Sequence, residues 1–294
     1  MTTNRNGQRQ SRFTRHRRAR QVILQPRDMD IIIAVFQSRF LTREQIQEMF
    51  DISCITVANR ILRRLFDARF LDRRFLPLLH GSSQAMYFLG RRGMPIVSEQ
   101  LNLDPDEVAR TRRRDQALRP GLLEHERLIN DFRIQLETGI AESSVSVKRF
   151  LHARKCECRF GIRTGGQETK YYLKPDGYFE LMSSHWLDSY FLEIDRSTSG
   201  LRKLSRKFRT YRAFQQSGAF EKVYDRPRFG VVVVTLTSQR AKNLVSLAEK
   251  QECDFFYFTD LSEFQARGPF GNIWTVPGKG NLERLSLTES RRPG

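Results

Sequence analysis

The run FGVVVVTL, Phe229 to Leu236, constrains this chain more than any other stretch. Four consecutive valines leave no polar face, so the strand they form has to be buried on both sides, as in a parallel sheet covered by helices. The flanking segments supply those layers. LLEHERLINDFRIQLETG reads as an amphipathic helix, and SVSVKRF as a strand. Residues 151–168 read as a loop or weak strand with a turn at Gly165-Gly166. KYYLKPDGYFEL and SYFLEIDR read as two further strands, and GLRKLSRKFRTYRAFQQSG as a basic helix ended by Gly218. After the valine run come a helix, SQRAKNLVSLAEKQ, the strand DFFYFTD, a short helix, and a last strand in NIWTVPG. The order α-β-β-β-α-β-α-β predicts an α/β domain over 121–280, with 281–294 as a tail, and no internal repeat is visible.

A length of 294 residues suggests a second domain, and the amino-terminal half has a different grammar. RDMDIIIAVFQSRF has helical length and apolar content. Thr42 with Gln45 forms a capping-box pattern at the head of the next helix. Asp51-Ile52-Ser53 offers turn residues and another cap. In CITVANRILRRLFDARF, Ile55, Ala58, Leu62, Leu65 and Phe66 recur at helical spacing and define a face to bury. Thr56, Asn59, Arg60 and Arg63 fall opposite. FLDRRF and AMYFLG read as a hairpin whose turn is Pro77 to Ser83. Three helices and a hairpin are the order of a winged helix-turn-helix, placed at 26–92, whose third helix enters the major groove. Asn and Arg there are the side chains that read adenine and guanine edges, and Arg73 and Arg74 on the wing could clamp phosphates. Residues 1–25 carry a basic arm expected to be disordered, with seven arginines and no acid in the first 20. Residues 93–120 read as a charged linker, with one short helix in RRGMPIVSEQLNL and a second basic cluster at Arg112 to Arg114.

Composition narrows the partners. The chain has 51 Lys and Arg against 33 Asp and Glu, a formal charge of +18, which points to double-stranded DNA as the default polyanion. No apolar run reaches the roughly 20 residues that span a bilayer, and no secretory leader pattern opens the chain, so a cytoplasmic protein without membrane insertion is expected. The four cysteines make no disulfide framework. His152, Cys156 and Cys158 suggest a zinc knuckle, but the spacing lacks a clear fourth ligand and there is no second CxxC, so zinc is not expected.

The acids at the two central strands stand out against this basic background. Glu193 and Asp195 alternate with Ile194, so both carboxylates point to one face, and Asp176 opens the neighbouring strand. One reading is structural: Asp176 caps the turn before Gly177, and Glu193 and Asp195 pair with Arg196 or Arg202. The other follows from a resemblance. The element order resembles the core of the PD-(D/E)xK nucleases, the restriction-endonuclease-like fold, with Pro175-Asp176 and Glu193-Ile194-Asp195 in the positions of its two motif elements and Glu124 in that of a helix acid. The resemblance implies Mg²⁺ held by Asp176, Glu193, Asp195 and Glu124, because converging carboxylates suit a hard cation. Asp195 stands where the motif has lysine. The charge would then come from Lys207, with Lys203 and Lys174 as alternatives, or else the core is degenerate and serves to bind DNA or as a scaffold.

A narrower resemblance covers about residues 25–260. A winged helix, LEHERL, KPDG, FLEIDRST, and Lys207 with Tyr211 together look like the replication-relaxation family of plasmids and integrative elements, in which His125 matches a family histidine. The resemblance implies DNA binding in plasmid replication, relaxation or transfer, with a relaxase or another replication or transfer protein as partner. The catalytic set it implies is Asp176, Glu193 and Lys207. The alternative is a winged-helix transcription regulator whose second domain is a non-catalytic interaction or dimerisation module, and a homodimer fits either reading.

Overall fold

The computed structural model describes residues 13–16, 22–75, 84–139, 145–278 and 284–288, and the chain divides into two compact units, Met1–Ile134 and Gln135–Gly294. It combines helices with a mixed sheet, the α/β class expected. Among the described residues no helix is long and apolar enough to cross a membrane.

The first unit opens with α1, Pro26–Gln37. Proline at its start has no N–H to leave unsatisfied, and the Gln25 N–H donates to Asp28 Oδ2 at 2.9 Å. A two-residue strand β1, Leu41–Thr42, leads into α2, Arg43–Met49, whose capping box forms as the sequence predicts. Gln45 N–H donates to Thr42 Oγ1 at 3.2 Å, and Thr42 N–H donates to Gln45 Oε1 at 2.9 Å. Helix α3, Ile55–Asp67, buries Ala58, Leu62, Leu65 and Phe66. Its N-cap is Cys54 rather than Ser53, and Ile55 is 55% exposed because it sits in the first turn, beyond the reach of the core. Strands β2, Leu71–Phe75, and β3, Ala85–Leu89, pair antiparallel with Arg73 opposite Tyr87, and β1 adds to the other edge of β3. The expected turn at 77–83 lies outside the described residues.

The stretch expected as a charged linker with one short helix holds that helix, α4 (Met94–Leu101), and a second, α5 (Pro105–Gln116). Val97 and Val108 are fully buried in the core built from α1, α3 and β2, so apolar anchoring overrides the surface charge. Arg112 is turned inward as well, donating to Leu89 O at 3.0 Å and to Asp72 Oδ2 at 2.7 Å. Helix α6, Pro120–Thr138, begins in the first unit, not at the head of the second. Gln45 donates to Arg127 O and Asp131 Oδ1, and Asn130 donates to Ser38 O and Phe40 O, which ties the helix to the first unit.

The second unit is built on a seven-stranded sheet in the order β12-β11-β10-β9-β8-β7-β4. Its strands are β4 (Ser146–His152), β7 (Gly177–Met182), β8 (Leu187–Asp195), β9 (Gly230–Thr235), β10 (Phe256–Asp260), β11 (Trp274–Thr275) and β12 (Arg284–Leu285). Strands β8, β9 and β10 run parallel, with antiparallel strands on both flanks. The valine run is β9, buried at every position as expected. Residues 158–164 form a full strand, β5, paired with β6 (Gln167–Leu173) in a separate hairpin. KYYLKPDGYFEL is therefore not one strand. It breaks at Lys174-Pro175-Asp176 because proline cannot donate to a ladder, and β6 and β7 belong to different sheets. Helices α7 (Leu201–Gln216), α8 (Ala219–Tyr224), α9 (Ser238–Glu249) and α10 (Leu261–Arg267) complete the unit. Gly218, at φ 66°, makes the left-handed link between α7 and α8. Phe191 of β8 packs within an aromatic core that includes Tyr211, Phe214, Phe220 and Phe229.

Candidate functional site

Phe191, Glu193 and Asp195 share one face of β8, the face that α7 and α9 cover. The aromatic core fills the amino-terminal end of that face. The two carboxylates occupy its carboxyl end, where the parallel strands finish and an open α/β sheet ordinarily places its ligand.

Glu193 is buried and holds two partners from α7. Its Oε2 pairs with Lys207 Nζ, and its Oε1 accepts from the Tyr211 hydroxyl. Lys207 and Tyr211 are four residues apart, one helical turn, so one face of α7 presents both. Asp176 closes the group. Its N–H donates to Leu192 O at 3.0 Å, and its Oδ2 accepts from Ile194 N–H at 2.8 Å, which anchors the start of β7 beside Glu193.

Burial pushes the Glu193 carboxyl up to about 7, with the Asp176 charge adding to the rise and Lys207 opposing it. Burial works against the Lys207 ammonium, but Glu193 and Asp176 outweigh it and raise its pKa. The Tyr211 hydroxyl is raised well above its ordinary value by burial and then by Glu193. Two carboxyl groups and one ammonium thus converge at this end of the sheet.

The other expected ligands are held elsewhere. Asp195 shares the face but accepts from Arg240 Nε of α9 at 2.6 Å, and Arg240 Nη2 donates to Ser199 O at 2.7 Å. Glu124 lies in the first unit and is bonded to Arg127 at 2.7 Å. Among the alternative lysines, Lys174 lies 3.4 Å from Glu157 and Lys203 is exposed, so the lysine at Glu193 is Lys207. Cys156 and Cys158 join the apolar core, with the Cys158 sulfur 3.6 Å from the Tyr224 hydroxyl. Among the described residues no group of three or more His, Cys, Asp or Glu side chains could hold a metal ion. Of the four carboxylates expected as ligands, Asp176 and Glu193 remain together here, and their oxygens are the donor type a hard divalent ion prefers.

Tyr211, paired with Lys207 in the family pattern, was given no role in the expected site, and Arg240 was not singled out at all. No local signal marks Arg240, since its contact crosses 45 residues.

In the first unit, Thr56, Asn59 and Arg60 form the exposed face of α3. Arg63 is tied to Asp67 at 2.8 Å and to Thr14 O at 3.1 Å. Arg73 lies over the Phe66 ring, 4.2 Å from its centroid. Arg74 does not face outward: its guanidinium donates to Gln116 O at 2.8 Å and to Leu118 O at 3.1 Å. Part of the expected disordered arm is docked here. Phe13 packs on Phe75 with centroids 5.0 Å apart, Arg15 covers Phe66 and donates to Leu71 O, and His16 N–H donates to Asp67. These apolar and cation–π contacts fix residues 13–16, which a charge-based reading does not anticipate.

The sequence profile of the replication-relaxation family matches residues 34–226, a span that contains α3, Asp176, Glu193 and Lys207. No curated protein and no solved structure matches the chain.

Proposed function

The chain belongs to the replication-relaxation family, and from that premise we propose that it is a cytoplasmic DNA-binding protein of plasmid or mobile-element replication, relaxation or transfer, whose second unit cuts a phosphodiester bond. The observation that carries this reading is Lys207 on Glu193: a lysine from α7 supplies the ammonium that position 195 lacks. In this reading the first unit is a winged helix-turn-helix, and Thr56, Asn59 and Arg60 meet base edges while Arg63 and Arg73 border the contact. The second unit is a PD-(D/E)xK-like core.

Asp176 and Glu193 would hold Mg²⁺, and a bound Mg²⁺ activates water and offsets phosphate charge. Lys207 keeps its proton and places a positive charge beside Glu193 for the phosphate under attack. Tyr211 fixes the Glu193 carboxylate, and the Ile194 N–H fixes Asp176. Arg240 holds Asp195 apart, as a structural acid. Supercoiled plasmid incubated with the protein and Mg²⁺ tests the chemistry. Nicking by wild type that Glu193→Ala and Lys207→Ala both abolish is expected, and absence of nicking by wild type overturns it.

A second reading is a winged-helix regulator with a non-catalytic second unit. The two-carboxylate limit favours it, and it requires binding without any nicking.

A further inference from the structure

Several arginines of both units are consumed by internal partners. Arg64, Arg74, Arg112, Arg127 and Arg240 each hold a carboxylate or a carbonyl. Helix α7 departs from this pattern. Arg202, Arg206 and Arg209 are all exposed, and among the described residues no ion pair joins any of them to a carboxylate. Further along the same helix Arg212 is already occupied, by Gln251 O and Glu252.

The three positions follow at i, i+4 and i+7, so they form one stripe, turned away from the face that carries Lys207 and Tyr211. The stripe lines a groove of about 360 Å³ whose other walls are Leu201, Ser205 and Leu247. Seven residues of helix rise roughly 10 Å. One strand of duplex DNA carries a charge about every 3.4 Å along its axis, so roughly three phosphates fill the same length. Guanidinium binds phosphate in a fork, and a cationic stripe without acids has nothing to neutralise it internally.

We infer that Arg202, Arg206 and Arg209 on α7 form a track for the phosphate backbone of duplex DNA, separate from the face of α3. This inference rests on the DNA-binding reading above but not on cleavage. The track binds without reading sequence, since arginine to phosphate carries no base information.

The test is a salt titration of duplex binding by the full chain in EDTA, where Mg²⁺-dependent cutting is silent. The triple variant R202A/R206A/R209A should lower the slope of log K against log salt by about 2.7, three phosphates at about 0.9 each. R202K/R206K/R209K should keep most of the wild-type slope, and the single reversal Arg206→Glu should weaken binding on every duplex sequence alike. These exposed positions should leave the unfolding midpoint unchanged, and Arg206→Glu still decides the matter if the triple variant fails to fold. A triple-variant slope within about 0.5 of wild type, or an Arg206→Glu protein that binds like wild type, overturns the track and leaves DNA binding through α3 standing. Wild type that shows no salt-dependent binding to any duplex overturns the DNA-binding reading and the track together. A slope that falls as expected in a protein that never nicks plasmid supports the track and removes only the nuclease chemistry.

Discussion

Each unit buries an acid against a base, and the two pairs are built differently. In the first unit, Asp28 of α1 is 2% exposed and accepts from Arg64 at 2.6 Å while also capping its own helix through the Gln25 N–H. In the second, Glu193 is paired with Lys207 and Tyr211 but shares its site with a second carboxylate, Asp176. Both Asp28 oxygens accept from groups that stabilise its charge. Glu193 has a neighbour that opposes it, and burial lifts it to about 7. A buried acid that only joins elements resembles the first. In the proposed function, an acid that takes a cation resembles the second.

The largest stability effect should come from breaking the structural pair. Arg64→Ala leaves Asp28 buried without its cation and should cost about 3 kcal/mol in urea unfolding near neutral pH. A loss below about 1 kcal/mol would erase the contrast by showing that Asp28 is as poorly matched as Glu193.

The pH dependence sharpens the same contrast. The folded-state pKa of Glu193 is raised above its ordinary 4.5, so its contribution to stability is full below that value and is lost as pH rises through about 7. Glu193→Gln removes this dependence. In EDTA, the variant should gain on wild type by roughly 2 kcal/mol between pH 5 and pH 8. Parallel stability curves would mean that the carboxyl is not held high and that Glu193 is matched as well as Asp28.

A smaller effect belongs to Tyr211→Phe. It removes one hydrogen bond to Glu193 and should cost about 1 kcal/mol. The loss of a donor that favours the carboxylate should also push Glu193 higher, so the steep part of the stability–pH curve should move to higher pH. A curve that does not move would place the hydroxyl outside the electrostatics of the site.

Local signals in the sequence carried the elements well and the partnerships poorly. The Thr42–Gln45 box, the buried face of α3 and the doubly buried β9 depend on residues within a turn or two of one another, and periodicity is enough to read them. The same is true of Glu193 and Asp195 sharing a face. What failed was long-range or conflicting. The short helix at α4 was legible, but charge hid α5 and the burial of both helices, because Val97 and Val108 are two apolar anchors in a polar stretch. Asp195 found Arg240 rather than Arg196 or Arg202, and Glu124 belongs to the first unit because α6 is tied there by Gln45 and Asn130. The break at Pro175 was readable from its missing N–H, yet the continuous apolar character on both sides outweighed it.

The central proposal is that Asp176 and Glu193 together hold a divalent cation. Thermal unfolding of wild type and Asp176→Ala, each with Mg²⁺ and with EDTA, tests it most directly. A cation bound only by the folded chain adds about 2.7 kcal/mol at a hundredfold excess over its Kd, so Mg²⁺ should raise the wild-type midpoint by several degrees and leave Asp176→Ala where it was. No Mg²⁺ effect on wild type, with Asp176→Ala destabilised equally in both buffers by about 1 kcal/mol, would contradict the claim and reduce Asp176 to a partner of the Ile194 N–H.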